Sequence, residues 1–243
     1  MKNRVRSMKT IGLIGGTTWH STLLYYQYLN ETVQRQLGKS HSARCLLYAM
    51  DFEEVMVQQW GDWARIAEAL VPMGETLERA GADLLVICAN TPHMIADQLE
   101  DALSIPLVHI ADAVGEAIKE KGLDCVGLLG TVITMNEAFI TQRITKKYGV
   151  EVIVPQVSDQ QVIESIILEE LTHNIIKPFS RRRYGHIIDR LVRTGAQGIV
   201  LGCTEIPLLI QQKDVRVPVF DSTRIHAVKA AMMAVDDSAK KEY

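Results

Sequence analysis

Cys203, Thr204 and Glu205 follow one another directly after a short apolar run, Gly198-Ile199-Val200-Leu201. A thiol, a hydroxyl and a carboxylate in that order could move a proton or hold a small polar substrate. A thiol at the end of a strand can meet exposed backbone N–H groups, which favour thiolate, the form able to take a proton from carbon. The plainer reading is a buried structural cysteine, because free cysteine is among the most buried residue types. The stretch has a near-copy upstream: Arg79-Ala80-Gly81 through Leu84-Leu85-Val86-Ile87-Cys88-Ala89-Asn90-Thr91 matches the chain 114 positions later (79 against 193). At that spacing Cys203 falls opposite Ala89, and Cys88 falls opposite Gly202. One half of a paired site carries a thiol and its twin a methyl group.

Other residues near these segments are short hydrogen-bonding side chains: Thr17, Asn90, Thr91, Thr131, Thr134 and Thr204. Together with N–H groups at helix N-termini they suit a small carboxylate; they are equally ordinary helix caps. His93 and Glu205 could shuttle protons or bind an amino group, and His93 reads as well as a helix-start residue. Cys88 is a possible second thiol. Side chains alternate faces along a strand, so if Ala89 points as Cys203 does, Cys88 points the other way, into packing; a turn at the strand end would break that rule. Gly15-Gly16 after a strand completes neither dinucleotide nor Walker pattern, which argues against a nucleotide. The seven histidines lack metal-ligand spacing, so no metal site is expected.

The elements that would position these residues alternate. Short apolar runs at 10–14, 44–50, 83–87, 107–110, 125–129, 151–154, 198–201 and 217–220 read as strands, several of them buried on both faces. Helical patterns fall at 21–37, 60–80, 94–102, 111–121, 136–148, 160–172, 178–194 and 223–234. Such alternation predicts parallel sheets covered by helices. The repeat extends further: Ile11-Gly12-Leu13-Ile14-Gly15 resembles Val126-Gly127-Leu128-Leu129-Gly130, and Ile105-Pro106-Leu107-Val108 resembles Val217-Pro218-Val219-Phe220. The expectation is an α/β protein of two pseudo-symmetric domains, each a four-stranded parallel sheet flanked by helices. Residues 8–112 with a returning helix at 221–243 would form the first, 113–220 the second, and 1–7 an N-terminal extension. Ligands of such sheets sit beyond the carboxyl ends of the strands, which puts the expected active site in the cleft between the domains.

Composition narrows the classes. The chain has 243 residues, 47% hydrophobic and 23% charged, with a formal net charge of −3, so no basic field draws nucleic acid. Arg181-Arg182-Arg183 reads as a solvated helix face. No secretory h-region and no apolar run near the roughly 20 residues of a span is present, so no membrane partner is expected. Four cysteines without C-x-x-C spacing read as reduced thiols in a cytoplasmic protein.

From Met8 to about Ala234 the chain resembles the aspartate/glutamate racemase family of cofactor-independent amino-acid racemases. The resemblance is carried by Gly15-Gly16-Thr17-Thr18-Trp19-His20-Ser21-Thr22, Asp51-Phe52, Ala89-Asn90-Thr91-Pro92-His93, Leu129-Gly130-Thr131 with Thr134-Met135, and Gly202-Cys203-Thr204-Glu205. It implies a small amino-acid substrate, aspartate or glutamate or a broader range. Its other implications are catalysis without pyridoxal phosphate, a homodimer, substrate contacts that include Trp19, and two thiols acting on opposite faces of the α-carbon. One of those is Cys203. The family's first cysteine directly precedes the Asn-Thr pair, and here that position is Ala89. The alternatives are a single-cysteine decarboxylase of malonate-type acids, a catalytically impaired carboxylate-binding homologue, or a variant in which cysteine was replaced by alanine.

Overall fold

A computed structural model describes residues 8–239. The extension expected at 1–7 and residues 240–243 of the expected returning segment lie outside that range. The chain divides into two compact units, one holding residues up to His109 and from His226 onward, the other Ile110–Ile225.

The first unit runs β1 (Thr10–Gly15), α1 (Trp19–Leu37), β2 (Arg44–Ala49), α2 (Trp63–Arg79), β3 (Leu84–Ile87) and α3 (Ala96–Ala102). The second runs α4 (Ile110–Glu120), β4 (Cys125–Leu129), α5 (Val132–Asn136), α6 (Ala138–Tyr148), β5 (Glu151–Ile153), α7 (Val157–Glu169), α8 (Pro178–Arg193), β6 (Ile199–Leu201), α9 (Ile206–Leu209) and β7 (Val219–Asp221). The dividing line then falls inside α10 (Ser222–Ala239).

Both sheets are parallel, with strand orders β2-β1-β3 and β5-β4-β6-β7. The first therefore has three strands rather than the four expected. The run expected as a strand at 107–110 contributes a single bridge, Leu85 to Leu107, with Leu85 N–H donating to the Pro106 carbonyl and Val108 N–H to that of Leu85. After this bridge the chain enters α4 at Ile110.

Each sheet is packed on both faces, which is why its strands read as unbroken apolar runs. In the first unit Ile11, Leu13, Leu84 and Val86 meet Tyr25, Leu29 and Val33 of α1 and Ala227, Ala230, Ala231 and Ala234 of α10. Ile14, Leu85 and Ile87 meet Ile66, Leu70 and Leu77 of α2 and Leu99 of α3. In the second unit Leu129, Ile199 and Leu201 pack on α7 and α8 through Ile163, Ile167, Ile187 and Leu191. Val126, Leu128 and Val200 pack on α4 and α6 through Val114, Ile118, Ile140 and Ile144.

The turn after β1 is held tightly. Met50 N–H donates to the Gly15 carbonyl at 2.9 Å and Gly16 N–H to Thr22 Oγ1 at 2.9 Å. Thr18, a β-branched residue at φ 53°, caps α1 by accepting from Ser21 N–H. A positive φ is strained for such a residue. A Cβ on Gly16, which sits at φ +96°, would stand 2.2 Å from the Met50 carbonyl oxygen, whereas Gly81 at the same φ faces open space. Gly16→Ala is therefore expected to destabilise the protein by about 2–4 kcal/mol in urea unfolding, and Gly81→Ala by only about 1 kcal/mol. Equal losses would show that backbone conformation, not the Met50 contact, fixes Gly16.

Candidate active-site residues

The end of β3 carries the first group. Cys88 belongs with Leu84 and Val86 to the core under α1 and α10 and is fully buried. Its backbone N–H donates to the Ile14 carbonyl, and its own carbonyl accepts from Ser21 Oγ at 2.5 Å. Burial pushes its thiol far above the ordinary range, with Cys45 adding to the shift. Ala89 is 6% exposed, and Asn90 and His93 are buried. Residues 91–95 form a 3-10 turn opened by Asn90. On the neighbouring loop Thr17 is half-buried, its Oγ1 4.0 Å from Met50 Sδ, and Trp19 stands 63% exposed beside the His20 ring.

The end of β6 carries the second group. Cys203 continues the face of Ile199 and Leu201 and packs at the edge of the α7–α8 core. A close approach of β4 and β6 fixes its place: Gly202 N–H donates to the Leu129 carbonyl at 2.6 Å, and a Cβ on Gly202 would meet that oxygen at 3.0 Å. Cys203 Sγ donates to Glu205 Oε2 at 2.9 Å, and Thr204 Oγ1 donates to the same oxygen at 2.6 Å. Thr204 and Glu205 are both buried. Burial first, then the Glu205 charge and the hydrogen bond to it, hold the Cys203 thiol well above its ordinary value of 9.0. The backbone N–H groups of Glu205 and Thr204 pull the other way and are outweighed. This corrects the expectation that N–H groups would favour thiolate. A carboxylate two residues on is the stronger neighbour, and it keeps the sulfur protonated. Thr131 caps α5, its Oγ1 accepting from Thr134 N–H and lying 3.0 Å from Thr134 Oγ1.

The structure thus gathers Cys203, Thr204 and Glu205 into one bonded cluster, Thr131 and Thr134 into a capping pair, and Ala89, Asn90, Thr91 and His93 into one turn. Among the described residues no group of three or more His, Cys, Asp or Glu side chains is arranged to hold a metal ion, and no helix is long and apolar enough to cross a membrane.

The Asp/Glu/hydantoin racemase family model matches residues 14–230. The chain belongs to this family. A crystal structure of a candidate Asp/Glu racemase from Yersinia pestis is 47% identical and superposes with a TM-score of 0.90, covering 94% of this chain and 100% of its own. An aspartate racemase homologue from Pyrococcus horikoshii OT3 is 38% identical, with a TM-score of 0.84 over 93% of this chain and 99% of its own. The broad specificity amino-acid racemase RacX of Bacillus subtilis (strain 168) is 22% identical over 222 residues, 88% of this chain and 92% of its own length.

Sequence reasoning missed one feature of this racemase-family chain. Tyr25, His93, His109 and His226 form a buried group in the first unit, the His93 ring centroid lying 4.8 Å from that of His109 and 5.4 Å from that of His226. His226 Nε2 lies 2.6 Å from the Val108 carbonyl oxygen and its Nδ1 2.8 Å from Tyr25 OH. A carbonyl only accepts, so Nε2 carries the proton and Nδ1 accepts from the tyrosine. Only the widely spaced letters themselves hint at this, because α10 brings His226 to Tyr25 across 201 positions.

Two measurements follow from these charges. Glu205→Gln removes the charge and is expected to lower the Cys203 pKa toward 9.0. Mass spectrometry should then show faster iodoacetamide labelling of Cys203 at fixed near-neutral pH; an unchanged rate would mean burial alone holds the thiol. Burial takes the His226 pKa from 6.5 down to about 4. The unfolded chain binds this proton first, so the stability that His226 contributes is full above 6.5 and is lost as pH falls toward 4, by about 3 kcal/mol. Urea midpoints of His226→Gln should decline less steeply over that window than those of the wild type.

Proposed function

We propose that this protein moves a proton at the α-carbon of an amino acid without a cofactor, interconverting enantiomers, with Cys203 as its thiol acid/base and acidic amino acids as substrates. The observation that carries this reading is the 2.9 Å contact of Cys203 Sγ with Glu205 Oε2. The pair holds one proton and one negative charge. As it stands the sulfur is an acid, ready to protonate a carbanion. To act as a base it must first lose the proton that the Glu205 charge retains. A substrate ammonium group beside Glu205 would cancel part of that charge and lower the thiol pKa. Glu205 is thus the amino-group partner and the switch for the thiol. The turn of Asn90 and Thr91 receives the α-carboxylate, where backbone N–H groups stabilise it as it becomes enolate-like.

The strand end equivalent to Cys203 holds Ala89, which has no proton to give, and Cys88 is committed to the core. General acid–base catalysis contributes about 10²–10⁴-fold, so absence of the second thiol costs about 3–5 kcal/mol of barrier. Exchange on one face should therefore outpace inversion. A second reading, decarboxylation of a malonate-type acid, is favoured by the same protonated lone thiol, since that chemistry needs only one protonation of an enediolate.

Incubation of single amino-acid enantiomers in heavy water, followed by NMR, decides the matter. The wild type is expected to exchange the α-proton mainly with retention. Cys203→Ala should abolish exchange, and Ala89→Cys should raise inversion by roughly 10²–10⁴-fold. No exchange with any amino acid, together with loss of CO₂ from a disubstituted malonate, would overturn the racemase reading in favour of the second.

A further inference from the structure

The reaction proposed above leaves the buried imidazole of His93 unused. Its Nδ1 lies 2.9 Å from the Ala89 carbonyl oxygen and 3.2 Å from that of Asn90. Both partners only accept, so Nδ1 carries the proton and serves two oxygens at once. The Asn90 oxygen also accepts from the His93 backbone N–H at 3.1 Å. In a trans peptide the C=O of one residue and the N–H of the next point in opposite directions. Two carbonyls drawn to one imidazole therefore aim the N–H groups of Asn90 and Thr91 toward the face away from His93. Asn90 is helical, at φ −80° and ψ −57°, and successive N–H groups in such a turn run side by side, the arrangement that binds anions.

We infer that His93 is a positioning residue: its Nδ1–H sets the two peptide planes by which Asn90 and Thr91 present their N–H groups to a small carboxylate. The inference rests on the reading of this turn as the carboxylate holder. It gives the histidine a role other than proton shuttle, since its Nδ1 proton is engaged by backbone oxygens in a 1% exposed site.

The surroundings fit a fixed, neutral ring. His93 lies against His109 and His226, and His226 is pinned at both nitrogens, to the Val108 carbonyl and the Tyr25 hydroxyl. Burial, reinforced by His109 and then His226, holds His93 well below the ordinary histidine range. Elements far apart in the chain, α1 and α10, thus brace the ring that orients a two-peptide turn.

The test uses the full-length, isotope-labelled protein. In the wild type at neutral pH, the His93 ring resonances are expected to report the Nδ1–H tautomer; the Nε2–H tautomer or an imidazolium would overturn the inference. His93→Phe fills the space without a donor. The Asn90 and Thr91 amide resonances should move, and for α-proton exchange KM should rise and kcat fall, together lowering kcat/KM roughly tenfold, because the same N–H groups hold the carboxylate in the ground state and as it becomes enolate-like. His93→Asn keeps an N–H at the Nδ1 place and should restore both readouts. A folded His93→Phe with unmoved amides and unchanged kcat/KM, or a folded His93→Asn as impaired as His93→Phe, would sink the idea. If His93→Phe does not fold, the wild-type tautomer and the His93→Asn amides decide. If the wild type exchanges no α-proton, the functional reading fails separately, and the tautomer and amide readouts still decide the role of His93.

Discussion

A strand covered by helices on both faces assigns every side chain to one of two cores, and none can change sides without slipping the register. This constraint governs the chemistry available to the chain. Leu84, Val86 and Cys88 share one core, while Leu85 and Ile87 share the other. In the second sheet Ile199, Leu201 and Cys203 share the face that corresponds to Leu85, Ile87 and Ala89. The two thiols one residue out of step are therefore not interchangeable. Moving Cys88 onto the face of Ala89 would drive Leu84 and Val86 into the opposite, already filled core, where overpacking costs about 1–3 kcal/mol.

At the end of the second strand electrostatics takes over from packing. Glu205 accepts from both Cys203 and Thr204, so two successive side chains converge on one carboxylate oxygen of the residue that follows them. The peptide N–H groups nearby would by themselves favour thiolate. They lose to burial and to a full charge in hydrogen-bond contact, because an interior of low dielectric magnifies the nearer and larger charge.

The fold was legible in the sequence because sheets buried on both faces write their strands as apolar runs, and because the repeat from Arg79 to Thr91 returns at Arg193. Where reading failed, the cause was non-local. Leu107 and Val108 look like Val219 and Phe220, yet only the latter extend into a strand. Nothing local separates them: both runs follow a proline, Pro106 and Pro218, and both following helices begin three residues on from Leu107 and Val219, at Ile110 and Ser222. The position of Cys203 could be read from its neighbours in the chain. Its protonation state could not, since that depends on which way Glu205 turns. The histidine cluster was invisible because Tyr25 and His226 meet only after the chain has completed another unit between them.

That return of α10 bears on the order in which the chain can fold during synthesis. Ala227, Ala230, Ala231 and Ala234 cover one face of the first sheet, yet they are made after the whole of Ile110–Ile225. Until they emerge, Ile11, Leu13, Leu84 and Val86 have a half-built core. The second unit is continuous and holds its own two cores from α4 to β7. The later-made unit can thus be complete first, reversing the usual N-terminal-first sequence of domain folding.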